Sequence, residues 1–311
     1  MMMNGSQSRV ANTEKLARQI DKWMEKGVNQ VETKIPGLKL TRWPSTTAPT
    51  SYIHHPSVCL IAQGKKRVLL GDESYIYDAN HFLVSSVGLP VIANIMQASD
   101  EHPYLGLVME LDLQIISELI AENKNLFSYD KKTTKGIAVG QLSESLLNAF
   151  TRLIDLLDES DNIGALAPII QREIFFRLLT TEQGILLNQI VTTQSHSYQI
   201  SKAIDWLRNN FFKPLSVSDL ADYSGMSQSA FYSHFRSVTA MTPLQFQKSL
   251  RLNEARRLML TENLDATTTT YKVGYESPSQ FSREYRRFFG ESPLKDTKAL
   301  RETGLPQEAK A

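Results

Sequence analysis

Two stretches in the last third of this 311-residue chain repeat one plan. A short helix pattern is followed by a glycine-containing turn, a serine able to cap, and a helix carrying polar or basic residues on one side. The first runs from Leu215 to Val238 and reads LSVSDLADYSGMSQSAFYSHFRSV. The second runs from Asp265 to Phe289 and reads DATTTTYKVGYESPSQFSREYRRFF. These are helix-turn-helix patterns, and a helix presented in this way fits the DNA major groove, which is wide enough to admit it.

Residue spacing carries the reading. Ser216 is placed to cap a helix whose Val217, Leu220 and Ala221 share one apolar face. Gly225 suits a left-handed turn. Ser227 caps the next helix, in which Phe231 and Phe235 face inward while Ser229, Tyr232, Ser233 and Arg236 face the other way. In the second unit Gly274 occupies the turn and Ser277 the cap. Pro278 stands at the first helical position, where a missing N–H costs nothing. Phe281, Tyr285 and Phe288 form the inward stripe, leaving Ser279, Gln280, Arg283, Arg286 and Arg287 outward. A single helix from Pro243 to about Thr261 is expected between the units, with Leu250, Ala255 and Leu258 inward and Arg251, Arg256 and Arg257 distributed around it.

On these residues the segment from Ser201 to Arg301 resembles the DNA-binding domain of AraC/XylS-type transcription regulators. The stretches MSQSAFYSHF, TAMTPLQFQKSLRLNEARRLML and VGYESPSQFSREYRRFFGESP carry the resemblance. It implies double-stranded DNA as partner, with RNA polymerase as a second. Ser279, Gln280, Ser282 and Arg283 then begin the second recognition helix, where Arg suits guanine O6/N7 and Gln suits adenine N6/N7. Arg286 and Arg287 are assigned to phosphate. Ser229, Tyr232 and Ser233 hold the matching places in the first recognition helix, with Arg236 on the same side. The bland alternative is a solvated helix face.

The chain departs from the family pattern at two places. Ser233 stands where the family often has a long polar residue, so the first helix is expected to read less sequence, or to read it through Tyr232 and thymine methyls. Thr267 to Thr270 stand where small apolar residues are usual at the last two positions. Four β-branched residues lower helix propensity by a few tenths of a kcal/mol each, and buried hydroxyls there need partners such as i−4 carbonyls; the first helix of the second unit is expected to be softened, weakening DNA binding. His234 falls on the inward side and reads as a satisfied core histidine.

Charge follows the same division. Residues 197–301 hold 15 Lys/Arg against 10 Asp/Glu, whereas residues 1–196 hold 18 against 21. The net charge of +1 for the whole chain therefore conceals a basic segment where the motifs lie. Phosphate contacts from such residues supply salt-sensitive affinity without sequence information.

The length suits two domains. The segment divides into a tail and helix over 1–27, a sensing and dimerisation domain over 28–195, the tandem helix-turn-helix domain over 196–301, and a tail over 302–311. Residues 1–12 are expected to be disordered. A helix is expected over Thr13–Lys26. Short β-type runs follow from Val31 to Leu111, among them Ser57–Gln63, Arg67–Leu70, Tyr75–Tyr77, Phe82–Val87, Val91–Met96 and Leu105–Leu111, with a hairpin at Gln63-Gly64-Lys65-Lys66. Many short strands suggest an antiparallel barrel or sandwich. Helices are expected at Asp112–Asn123, Gly140–Leu157, Ile163–Thr180 and Ser195–Asn210. This order, with the stretch YIHHPSVCLIAQGKKRVLLGDESYIYDANHFLVSS, resembles the N-terminal cupin-like sensing domain of an AraC-type subgroup. The fold class is thus α+β: a cupin-like β-barrel with helices, then an all-α domain. The resemblance implies a small-molecule effector in the barrel and a homodimer supported by the helices around Gly140–Thr180.

A metal-binding cupin needs closely spaced His residues and a carboxylate on one ion. The barrel region holds His54, His55, His81 and His102, but neighbours on a strand point to opposite faces, so His54 and His55 cannot both enter the barrel. No HxH pair, Gly-rich phosphate loop or Ser/His/Asp set is legible. No catalytic residue, metal or cofactor is therefore expected, and no enzyme. A cupin metal enzyme with a DNA-tethering tail is the alternative from another class, and a DNA binder that ignores effectors is the intermediate one. The single cysteine, Cys59, excludes an internal disulfide and fits a reducing compartment. It reads as a small buried hydrophobe, or as a thiol sensor activated by His54, His55 or Lys65. With no secretory pattern and no membrane-length apolar run, a cytoplasmic protein is expected.

Overall fold

The computed structural model describes residues 5–303, apart from Lys26, 124–125, 128–133 and Gln194. The tails over 1–4 and 304–311 lie outside the described residues. A first helix, α1 (Gly5–Lys22), begins within the stretch expected to be disordered. Leu16, Ala17 and Ile20 bury one face of it against the barrel, and that packing continues the helix through the polar residues before Thr13.

The described residues then form ten antiparallel strands: β1 (Gln30–Glu32), β2 (Leu38–Trp43), β3 (Thr50–His54), β4 (Ser57–Gln63), β5 (Lys65–Leu70), β6 (Glu73–Asp78), β7 (His81–Ser85), β8 (Leu89–Gln97), β9 (Tyr104–Glu110) and β10 (Ile137–Gln141). They form a six-stranded sheet ordered β1-β2-β9-β4-β7-β10 and a four-stranded sheet ordered β3-β8-β5-β6. The inner faces of the two sheets enclose the barrel lumen. The outer face of the larger sheet is covered by helices. This explains why β4 reads as one uninterrupted apolar run: Val58 and Leu60 face the helices while Cys59 and Ile61 face the lumen.

The larger sheet is backed by α1, α2 (Leu113–Glu122), α3 (Glu144–Asp155), α4 (Ile163–Leu179) and α5 (Gly184–Val191). Asp112 caps α2 and Ser143 caps α3. The expected helix start at Gly140 is corrected: Ile137–Gln141 pairs with β7 from Ile137 opposite Ser85 to Gln141 opposite His81. A helix reading there failed because the partner strand lies more than fifty residues away in the chain.

The C-terminal part is all helical: α6 (His196–Asn210), α7 (Val217–Tyr223), α8 (Gln228–Thr239), α9 (Pro243–Thr261), α10 (Ala266–Lys272), α11 (Pro278–Phe289) and α12 (Pro293–Thr303). Its two halves are packed differently. One continuous cluster joins the lumen residues Ile61, Val68 and Val91 through Ile200 and Ile204 of α6 to Leu220, Phe231 and Phe235 of the first helix-turn-helix unit. The second unit has a separate core of Leu252, Ala255, Val273, Phe281 and Tyr285.

Candidate nucleic-acid interface

In the first unit the Ser216 hydroxyl accepts from the Asp219 amide, and Ser227 accepts from the Ala230 amide at the start of α8. Gly225 supplies the turn with φ +66°. Phe231, Phe235 and Val238 are buried. Ser229, Tyr232, Ser233 and Arg236 all lie exposed on the opposite side of α8. The second unit is built alike. The Asp265 carboxylate accepts from the amides of Thr267 and Thr268, and Ser277 accepts from the Gln280 amide behind Pro278. Phe281 and Tyr285 are buried, Ser279, Gln280, Arg283, Arg286 and Arg287 are exposed, and Ser282 is half-buried.

Gly274 has two reasons to be glycine. Its φ is +86°, and a Cβ there would lie 2.2 Å from the Phe212 carbonyl oxygen. That close approach brings the second unit against the end of α6. Arg251 of α9 fastens the same junction. Its guanidinium donates to the carbonyls of Phe211 (2.7 Å), Lys213 (2.9 Å) and Gly274 (2.8 Å). The Gln247 amide also donates to the Phe211 and Lys213 carbonyls. These contacts set the spacing of the two recognition helices, and their pattern gave no periodic signal in the sequence.

The arginines thereby sort into two kinds. Arg251 is a clamp, Arg256 is locked onto Asp296, and Arg257 forks onto Glu254 and reaches Glu262. Among the described residues no ion pair ties down Arg236, Arg283, Arg286 or Arg287, all exposed. Gln280 donates to Glu284, itself bonded to Lys248 and Tyr275. An ordered face with cations turned outward meets the requirement for positioning on phosphates and reading base edges.

Thr269 and Thr270 are fully buried, and their hydroxyls donate to the carbonyls of Asp265 and Ala266 at 2.7 Å each. His234 is half-buried rather than in the core. Its ring stacks on His196 of α6 with centroids 4.0 Å apart. Burial, then the neighbouring His196, lowers its pKa.

In the barrel domain His54 is buried beside Tyr52 and Cys59, while His55, half-buried just past β3, takes a hydrogen bond on Nδ1 from Arg208 of α6 at 3.0 Å, and both histidines wall one cavity with Ser57 and Glu110. Cys59 is buried, with Sγ 3.8 Å from His54 Nε2 and 4.0 Å from Ser57 Oγ. Lys65 lies outside this group on β5 of the smaller sheet, where Lys66, its neighbour, faces in. His81 pairs with Asp78 at 2.9 Å. Among the described residues no group of three or more His, Cys, Asp or Glu is placed to hold a metal ion.

Two capped helix-turn-helix units held at fixed spacing, joined to a β-barrel, define a DNA-binding transcription regulator. Residues 34–186 match the AraC-type transcriptional regulator N-terminus, and residues 220–299 match a helix-turn-helix domain. The chain belongs to the AraC-type transcription regulators. It is 24% identical over 279 residues to the HTH-type transcriptional activator RhaS of Pectobacterium carotovorum subsp. carotovorum, spanning 86% of this chain and 92% of that one. The RhaS of Pectobacterium atrosepticum is 24% identical over 140 residues, and there the chain spans about half, 49%, of the relative's length. Among solved structures, ToxT from Vibrio cholerae O395 shares the fold with a TM-score of 0.54 at 13% identity, covering 86% of this chain and 99% of ToxT. ToxT of Vibrio cholerae strain SCE256 has been solved with an unsaturated fatty acid bound. No helix among the described residues is long and apolar enough to cross a membrane.

Proposed function

We propose that this protein is a sequence-specific regulator that places α8 and α11 in successive major-groove segments on one face of DNA, about 34 Å apart. The observation that carries the reading is the exposed set Ser279, Gln280, Arg283, Arg286 and Arg287 on a helix whose opposite side is locked into a core. Arg283 and Gln280 read base edges, assisted by Ser279 and Ser282. Arg286 and Arg287 hold phosphates. Ser229, Tyr232 and Ser233 make the shorter-ranged contacts of α8, with Arg236 reaching the backbone.

The barrel responds to a small effector, as the fatty-acid complex of the distantly similar ToxT encourages. Effector control requires different affinities for two arrangements of the domains. Two chains act together through α4, where Leu166 and Ile169 stand exposed one turn apart. The assembly engages RNA polymerase, works in the cytoplasm where its DNA is, and does no catalysis. Cys59 is a packed lumen residue, with a thiol-sensing role tested by Cys59→Ser against every inducer found.

Selection of random duplex DNA by the full-length protein at near-physiological salt tests the central reading. An enriched motif spanning two groove segments is expected, with changed preference when Gln280 and Arg283 are replaced by Ala. Binding without sequence preference under all effector conditions would sink it.

A further inference from the structure

A turn of the barrel borders the gap between the two recognition helices. Gly71 and Asp72 form it, joining β5 to β6 where Leu70 pairs with Glu73. The turn rests on the corner between α8 and α9. A Cβ on Gly71 would lie 3.0 Å from the Ala240 Cβ and 3.2 Å from the Ala240 carbonyl oxygen. Close by, the Gly136 amide just before β10 donates to the Val238 carbonyl of α8 at 2.9 Å. With the apolar cluster that the barrel shares with the first unit, these contacts hold the turn in place beside α8.

A groove of about 570 Å³ opens there. Its walls include Asp72, Arg236 near the end of α8, Thr242 and Gln245 at the start of α9, and Arg287 of α11. Arg236 ends the exposed stripe of Ser229, Tyr232 and Ser233, and Arg287 lies one helical turn beyond Arg283. The groove therefore links the outward faces of both recognition helices. Two more charged residues of its walls, Lys248 and Glu284, pair with each other at 3.0 Å. Among the described residues no ion pair holds Asp72, Arg236 or Arg287, and all three are exposed.

Given α8 and α11 in successive major-groove segments, the reading on which this rests, we infer that the barrel is a third DNA-facing element and that Asp72 opposes the phosphate contacts made between the two helices. Between two such segments on one face of the duplex, the minor groove and its phosphate rims face the protein. Arg236 and Arg287 attract those phosphates, and Asp72 repels them from a wall of the same groove. A carboxylate so placed lowers affinity for every sequence alike, because phosphates carry no base identity. Less of the total affinity then comes from phosphates, and more from the base contacts of Gln280 and Arg283.

Fluorescence anisotropy of full-length wild type, Asp72→Asn, Asp72→Glu and Asp161→Asn, on the selected duplex and on a scrambled one, tests this. Asp161 lies between α3 and α4 behind the larger sheet, so its variant loses the same charge away from the groove. Asp72→Asn is expected to bind both duplexes about threefold tighter or more, a gain that shrinks as added salt screens the carboxylate. Asp72→Glu and Asp161→Asn should match wild type. Methylphosphonates at the phosphates between the two major-groove segments should erase the difference between wild type and Asp72→Asn, whereas those beyond the segments should preserve it. Equal melting temperatures check that the variants fold alike. Equal affinities of wild type and Asp72→Asn overturn the role of Asp72 and leave the two-helix reading standing. So does an equal gain in Asp161→Asn, or a gain that central methylphosphonates leave untouched, since net charge alone then accounts for it. Binding without sequence preference by every variant overturns the two-helix reading, and the role of Asp72 with it.

Discussion

Arg256 of α9 grips Asp296 of α12 through two hydrogen bonds, Nε to Oδ2 at 2.8 Å and Nη2 to Oδ1 at 2.6 Å. Both side chains are about nine-tenths buried. Tyr285 of α11 donates its hydroxyl to the same carboxylate at 2.7 Å, and the guanidinium lies 4.1 Å from the centre of the Phe289 ring. Three helices, α9, α11 and α12, therefore meet at one ion pair.

Removing one partner of this pair leaves a buried charge without compensation. Arg256→Ala is expected to destabilise the protein by about 3–5 kcal/mol and to abolish binding by α11 although Arg256 touches no DNA. Urea denaturation with DNA titration checks it. Stability within experimental error of wild type would contradict the central place given to the pair.

The two turn glycines are expected to differ in tolerance. Gly225→Ala meets open space and carries mainly the left-handed backbone cost of about 1–2 kcal/mol. Gly274→Ala adds a collision with the Phe212 carbonyl and should lose the second unit's docking altogether. Thermal melts of the two variants, run side by side, would refute this if they shifted equally.

His55 gives the link between barrel and α6 a pH dependence. Burial first, then Arg208, lowers its pKa from the ordinary 6.5, so the unfolded chain binds more protons than the folded one below that value. Its contribution to stability is full above pH 6.5 and falls as the pH drops toward the lowered native value. Protonation also removes the acceptor used by Arg208. Melting temperature is expected to fall more steeply between pH 7 and pH 5 in wild type than in His55→Gln. Parallel curves would exclude the link.

Thr269 and Thr270 carry opposing terms. Alanine at both gains roughly 0.5 kcal/mol each in helix propensity but empties a buried methyl worth about 0.8 kcal/mol. The double variant should remain within about 1 kcal/mol of wild type, with unchanged DNA affinity. A large gain in affinity would restore the view that these threonines soften α10.

The helix-turn-helix units were legible because their determinants are local. Ser216, Ser227 and Ser277 cap within three residues, Gly225 and Gly274 turn the chain in place, and Phe231/Phe235 and Phe281/Tyr285 sit one helical turn apart. Strands β2, β3 and β10 gave weaker signals, since a strand is completed by partners remote in sequence, as Leu40 is by Leu107 and Ile137 by Ser85. Composition likewise left Arg251, Arg256 and Arg257 indistinguishable from groove-facing arginines.

From sequence alone came the family, the two recognition helices and the side of each that faces outward, because caps, turns and 3.6-residue spacing act over a few residues. Tertiary structure decided which arginines are internal struts, that Asp72 shares a groove with Arg236 and Arg287, and that β3 touches both a cavity and the DNA-binding helices. Those relations join residues tens to hundreds of positions apart, as Ser51 is from Asn253 and His55 from Arg208, and only the closing of the barrel and its packing on α6 and α9 brings them within reach.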